Sequence, residues 1–159
     1  MQRLLNKYRN QWKNKPASWY FFPLAQIYYR LGKYEDAYQA CRQGLQNWPN
    51  LLAARVELAQ VCLKMGLKEE AEAQLEAVVK ELPNNLLASK LLAQLYLEQG
   101  RPGAALGRYR AISNFYPECA DLKETIRRLE ETELQQAKKT LAVLEKWQAA
   151  ILGTRALST

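Results

Sequence analysis

LAQVCLKMGLKEEAEAQLEAVVKELP, residues 58–83, is the stretch whose reading decides the fold. Leu58 and Ala59 open an apolar stripe that runs through Val61 and Cys62 and breaks at Gly66; Ala71, Leu75, Val78 and Val79 make a second stripe that stops before Pro83. Both stripes recur at three- and four-residue spacing, the pattern of a helix that buries one face. Glycine tolerates the left-handed conformation found just past a helix end, and proline cannot continue a helix interior. The stretch therefore reads as two helices, joined at Gly66 and ended at Pro83.

The same punctuation returns every 34 residues. Gly32, Gly66 and Gly100 keep that spacing, as do Pro49, Pro83 and Pro117, and so do Ala37, Ala71 and Ala105, Leu24, Leu58 and Leu92, and Ala25, Ala59 and Ala93. Five coincident positions in three copies make the chain a helical repeat array. The first copy runs Leu24, Ala25, Ile27, Tyr28, then Ala37, Ala40, Cys41, Leu45; the third runs Leu92, Ala93, Leu95, Tyr96, then Ala105, Tyr109, Ile112. Alanine at the recurring small positions lets two helix backbones approach, and a leucine there would overpack the seam.

On these residues the chain resembles the tetratricopeptide repeat family, whose pattern is met by Leu24, Ala25, Tyr28, Gly32, Ala37, Cys41 and Pro49 and by their partners one and two periods on. The resemblance implies an all-α solenoid, a right-handed superhelix of antiparallel helix pairs. It divides the chain into a basic N-terminal helix over 1–17, repeats at 18–51, 52–85 and 86–119, and a long capping helix with a tail over 120–159. For function it implies a binding module, because this scaffold serves unrelated processes.

Other classes of activity find little support. The chain has no histidine, and its three cysteines, Cys41, Cys62 and Cys119, form no CxxC pair. That argues against a zinc site and leaves neither a Ser–His nor a Cys–His couple. Leu31-Gly32-Lys33-Tyr34 lacks the rest of a phosphate-binding loop. Carboxylates such as Glu69, Glu70, Glu72 and Glu76 fall on faces expected to meet water. The expectation is a non-enzymatic protein without cofactor or metal. No apolar run reaches membrane-spanning length, and the polar, basic start lacks a signal peptide's apolar middle, so a cytoplasmic location is expected.

What remains is recognition. The resemblance implies that the first helix of each unit lines a concave groove. In the first unit that face carries Trp19, Phe22, Gln26, Tyr29 and Arg30; in the second, Val56, Glu57, Gln60, Leu63 and Lys64; in the third, Lys90, Leu91, Gln94, Leu97 and Glu98. The groove is expected to be greasy, with Gln26, Gln60 and Gln94 along its floor, and either open to a partner or filled by the chain's own termini. Some relatives clamp the carboxyl end of a chaperone tail with lysine, asparagine and further basic residues. This sequence has Phe22, Gln26, Glu57, Leu87 and Leu91 at those places, so the clamp is absent. An apolar or amphipathic protein segment is the expected ligand.

Charge is uneven. The first 34 residues hold seven basic and no acidic side chains, which accounts for the net charge of +7. Tyr8, Trp12, Trp19, Tyr20, Phe21 and Phe22 interleave with them. An RNA- or membrane-surface adaptor is therefore a third reading, behind a binding scaffold and a self-associating module. The plainer account is an amphipathic helix whose Leu4, Leu5, Tyr8 and Trp12 cover the first repeat while its lysines face water.

Two local expectations concern helix starts. Ser18 is placed to cap the next helix, with Pro23 one turn in, which bends or delays the start and turns Trp19 to Phe22 outward. Asp121 and Glu124 have capping-box spacing ahead of a single helix to about Leu152. In that helix Leu122, Ile126 and Leu129 continue the repeat register, whereas Leu134, Ala137, Leu141, Leu144, Gln148 and Ile151 start one residue out of phase, with Trp147 beside them. The two halves are not expected to face one surface. The second half, Leu134, Leu141, Leu144, Trp147 and Ile151, is the candidate for self-association into a homo-oligomer.

Overall fold

A computed structural model describes residues 2–16 and 18–156, with side chains as far as Ile151; Met1, Ala17 and the tail 157–159, which the sequence assigns to the first and last segments, lie outside the described residues. Eight helices occupy the described residues: α1 (Gln2–Asn14), α2 (Phe21–Arg30), α3 (Tyr34–Asn47), α4 (Leu52–Met65), α5 (Lys68–Glu81), α6 (Leu86–Glu98), α7 (Pro102–Ser113) and α8 (Ala120–Ala156). The protein is an all-α solenoid of helix hairpins. It forms two compact units, one ending at Leu95 and one beginning at Tyr96.

The recurring residues build the recurring geometry. Gly32, Gly66 and Gly100 have φ of 70°, 77° and 71°, the conformation that glycine adopts without penalty. Just beyond them, the Lys33, Leu67 and Arg101 amides donate to the Tyr28, Cys62 and Tyr96 carbonyls at 2.9, 2.9 and 2.8 Å. These bonds close each first helix in the same way and turn the chain into the second. Leu24, Ala25, Ala37, Ala59, Ala71, Leu92, Ala93 and Ala105 are all completely buried, and Leu58 nearly so.

In the first unit α2 packs on α3, α4 on α5, α3 on α4, α2 on α4, and α1 covers α2. Leu5 of α1 is buried, and Tyr8 and Trp12 pack beside it on a cluster that includes Leu24 and Ile27. Leu4, expected on that covering face, is instead 48% exposed. One residue is 100° of rotation, and α1, which covers α2 along a single stripe, buries Leu5 and leaves Leu4 outside that stripe.

The start of α2 corrects a second expectation. Ser18 does not cap it: the Ser18 hydroxyl donates to the Lys15 carbonyl, and the helix begins at Phe21. Pro23 then stands third in the helix, within the first turn, where its missing donor costs nothing. The delay is real, yet the four aromatics do not all turn outward. Trp19 is 55% exposed, whereas Phe21 is completely buried.

In the second unit α8 folds back along α7. It begins at Ala120, so Asp121 lies inside the first turn and not at the cap, and Glu124 accepts from the Arg127 guanidinium at 2.8 Å. Early contact is close: a β-carbon on Gly103 would stand 3.6 Å from Glu133 Oε1, and Arg110 is ion-paired with Glu130. From residue 134 to 151 every residue of α8 is exposed. Since α8 continues to Ala156, it runs about 34 Å past that last close contact. The expected break between its two halves is softer than the sequence implies. Leu129, Ala137, Leu141 and Leu144 border one open hollow of about 520 Å³ together with Pro102. A heptad stripe drifts only about 20° per seven residues on a straight helix, which keeps its near edge beside Leu129.

Candidate functional site

The first helices α2 and α4 lie side by side, and their unburied stripes make one face. On α4 the core takes Ala54, Leu58, Ala59, Val61 and Cys62, which leaves Glu57, Gln60 and Lys64 on the other side of the helix. Val56, expected among the groove contacts, is only 7% exposed and belongs to the packing between helices. Phe22, Gln26, Tyr29, Glu57, Gln60, Leu63, Lys90 and Leu91 are half-buried, and Arg30, Lys64 and Gln94 are exposed. Leu97, half-buried, and Glu98, exposed, lie in the second unit.

The structure links two of these residues directly. The Gln26 side chain hydrogen-bonds to the Glu57 carboxylate, with Arg30 near enough to act on its charge. Burial pushes the Glu57 carboxyl above its ordinary range, while the bond from Gln26 and the cation of Arg30 pull it back. Glu57 also bears on the thiol beneath: Cys41 is pushed up, first by burial and then by this carboxylate. Cys62 is pushed up to about 12, again chiefly by burial. Both thiols are buried, free and protonated at neutral pH, which makes them core residues and poor nucleophiles. At the side of this face the Tyr29 ring meets Tyr34 edge-on at 5.7 Å.

These features came from neither periodicity nor composition. The same holds for the network joining α3 to α5, where the Tyr38 hydroxyl donates to Glu70 at 2.8 Å and accepts from Arg42 at 2.9 Å. The Arg55 guanidinium similarly ties α4 to α5 through Gln74 at 2.9 Å. Such bonds join residues from different copies or helices, and a single repeat pattern carries no signal for them. Near the N-terminus, Arg9, Trp12, Lys13, Pro16 and Gln43 surround a shallow hollow of about 320 Å³. Among the described residues no three His, Cys, Asp or Glu side chains are grouped to hold a metal ion. Nor is any helix there long and apolar enough to cross a membrane.

Residues 69–129 match a tetratricopeptide repeat model, and residues 3–78 match the family described as anaphase-promoting complex, cyclosome, subunit 3. The chain belongs to the tetratricopeptide repeat family. Solved structures agree on the fold. MamA is similar at 17% identity and a TM-score of 0.75, over 81% of this chain and 76% of that one. A thermophilic tetratricopeptide repeat protein of Thermus thermophilus is 22% identical with a TM-score of 0.65, over 79% and 70%. YrrB, described as a tetratricopeptide repeat protein with an unusual peptide-binding site, is 16% identical with a TM-score of 0.71, over 83% and 69%. A comparison with curated proteins found no match. Within this tetratricopeptide repeat array, the α2–α4 face is the candidate site, with the half-buried Glu57 carboxylate bonded by Gln26 on it.

Proposed function

We propose that the protein is a non-enzymatic interaction scaffold whose α2–α4 face holds an apolar or amphipathic segment of a partner protein. The observation that carries this reading is the half-buried Glu57 of α4, bonded by Gln26 of α2, on the two helices that also carry the half-buried Phe22, Tyr29 and Leu63. A face of that make-up takes apolar side chains along its length and one hydrogen-bond donor or cation at Glu57, which orients the segment. The family's use as a binding module, and the peptide-binding site named for YrrB, support the class of partner. An acidic chaperone tail fits poorly, because Glu57 would repel its carboxylates where the clamp needs a donor.

The test is affinity capture with the full chain, followed by titration of the captured protein against variants. Tyr29→Ala, Leu63→Glu and Gln94→Ala should each weaken binding without lowering thermal stability. Unchanged affinity in all three would move the site off this face. The second reading, self-association, is favoured by the exposure of Leu134, Leu141, Leu144 and Trp147 at 54%, 57%, 53% and 67%.

A further inference from the structure

The far half of α8 is an 18-residue helical segment with every side chain from Leu134 to Ile151 exposed. Five apolar residues and one glutamine keep a 3–4–3–4–3 spacing: Leu134, Ala137, Leu141, Leu144, Gln148 and Ile151. That is a coiled-coil seam, with Leu134, Leu141 and Gln148 at one core position of the heptad and Ala137, Leu144 and Ile151 at the other. Lys138 and Glu145 flank the seam on one side, and Thr140 and Trp147 on the other. An apolar seam of this kind, exposed along its whole length, calls for a second helix.

We propose that α8 pairs antiparallel with α8 of a second copy of this chain, in the register that sets Leu141 against Leu144 of the partner subunit. The size pattern of the core favours this arrangement. In it Leu134 meets the partner's Ile151, and Ala137 meets the partner's Gln148, whose aliphatic stem fills the space left by the small residue. A parallel pair would instead stack Ala137 on its own copy, leaving a gap, and bring two Gln148 side chains together in the core.

Charge selects the same arrangement. Antiparallel packing puts like flanks of the heptad side by side, so Lys138 faces the partner's Glu145 and Glu145 faces the partner's Lys138. Both flanking charges within the seam are matched, and matched twice by symmetry. A parallel pair would match Lys138 with the partner's Glu133 and leave Glu145 opposite a threonine. The overlap spans the 18 residues from Leu134 to Ile151, whose six core positions make six layers across the pair. This pairing is independent of what the α2–α4 face binds.

Sedimentation equilibrium on the full chain tests it, using charge variants at exposed positions that leave the fold's core untouched. The wild-type chain should be a dimer at micromolar to sub-millimolar concentration. Lys138→Glu and Glu145→Lys should each weaken the dimer by about tenfold or more, since each replaces two attractive contacts with two repulsive ones. The double variant Lys138→Glu with Glu145→Lys should return to wild-type affinity, because the antiparallel pairs are restored with signs exchanged. In a parallel dimer the double variant stays weak, Glu133 then facing a glutamate. A monomer at every concentration, an effect absent from both single variants, or a double variant that is not rescued would each overturn the proposal; the first would leave the seam to a helix of another protein.

Discussion

The ring of Phe21, at the start of α2, lies against the backbone of Gly44 in α3, inside the space that a β-carbon on that glycine would occupy. Gly44 lies in the last turn of α3 and has no positive φ, so its lack of a side chain serves close approach and not backbone freedom. The contact explains why Phe21 is completely buried while Trp19, two residues earlier, is exposed.

Gly44→Ala should therefore destabilise the protein although alanine is the better helix former. Alanine would gain up to about 1 kcal/mol of propensity. Displacing a fully buried ring costs more, and the net loss should be about 1–3 kcal/mol. Denaturant unfolding measures it. Pairing the change with Phe21→Leu should recover part of the loss, whereas a stabilised Gly44→Ala variant would show that the ring moves freely.

Ala71 is completely buried where α5 meets α4. Leucine at that position has no space to enter and should cost about 1–3 kcal/mol. The exposed Ala73, on the far side of the same helix, provides the control: Ala73→Leu should change stability by less than about 0.5 kcal/mol. Equal effects at the two positions would contradict the packing of this helix pair.

The repeat was legible because it is written three times. Gly32, Gly66 and Gly100 each recur with the residues that need them, and one backbone solution serves all three. Cys41 and Cys62 as core residues followed from the same register. What the sequence did not disclose lies where copies differ or meet. Gly44 has no glycine partner one period on, since residue 78 is Val78, so nothing marked it as a contact. The Gln26–Glu57 bond joins two different repeats, and Ser18 bonds backward to Lys15 ahead of a helix that starts only at Phe21. The half-phase of α8 was visible, but its consequence was overstated, as the hollow shared by Leu129 and Leu144 shows.

The N-terminal helix is held by its apolar face and not by its charge. Leu5 is 2% exposed against Leu24 and Ile27, whereas Lys7 and Lys13 are exposed. Leu5→Ala should cost about 2–5 kcal/mol through lost burial and the cavity left behind. Lys7→Ala and Lys13→Ala should each stay within about 0.5 kcal/mol. Thermal unfolding of the three variants distinguishes them, and a Leu5→Ala chain as stable as wild type would mean that α1 does not cover α2 in solution.

Glu57 gives the protein a pH signature. Its folded-state pKa is raised above the ordinary 4.5, with burial the largest cause and the bond from Gln26 and the charge of Arg30 opposing it. Below that ordinary value the carboxyl is protonated in both folded and unfolded chains and contributes no penalty. As pH rises through 4.5 the unfolded chain releases its proton first, so the folded state loses relative stability until pH passes the raised folded value; above that, the penalty is constant. Other carboxylates titrate in the same range, which makes the difference between wild type and Glu57→Gln the quantity to follow. Glutamine keeps an acceptor for Gln26 and removes the charge. Its melting temperature relative to wild type should therefore be higher at neutral pH than in acid, with the whole change falling in a window that opens near 4.5. Arg30→Ala, by removing the cation that opposes the shift, should extend that window upward. A difference that stays flat from acid to neutral pH would mean that Glu57 is as well solvated as an ordinary surface carboxylate, and the oriented polar contact proposed for the α2–α4 face would lose its basis.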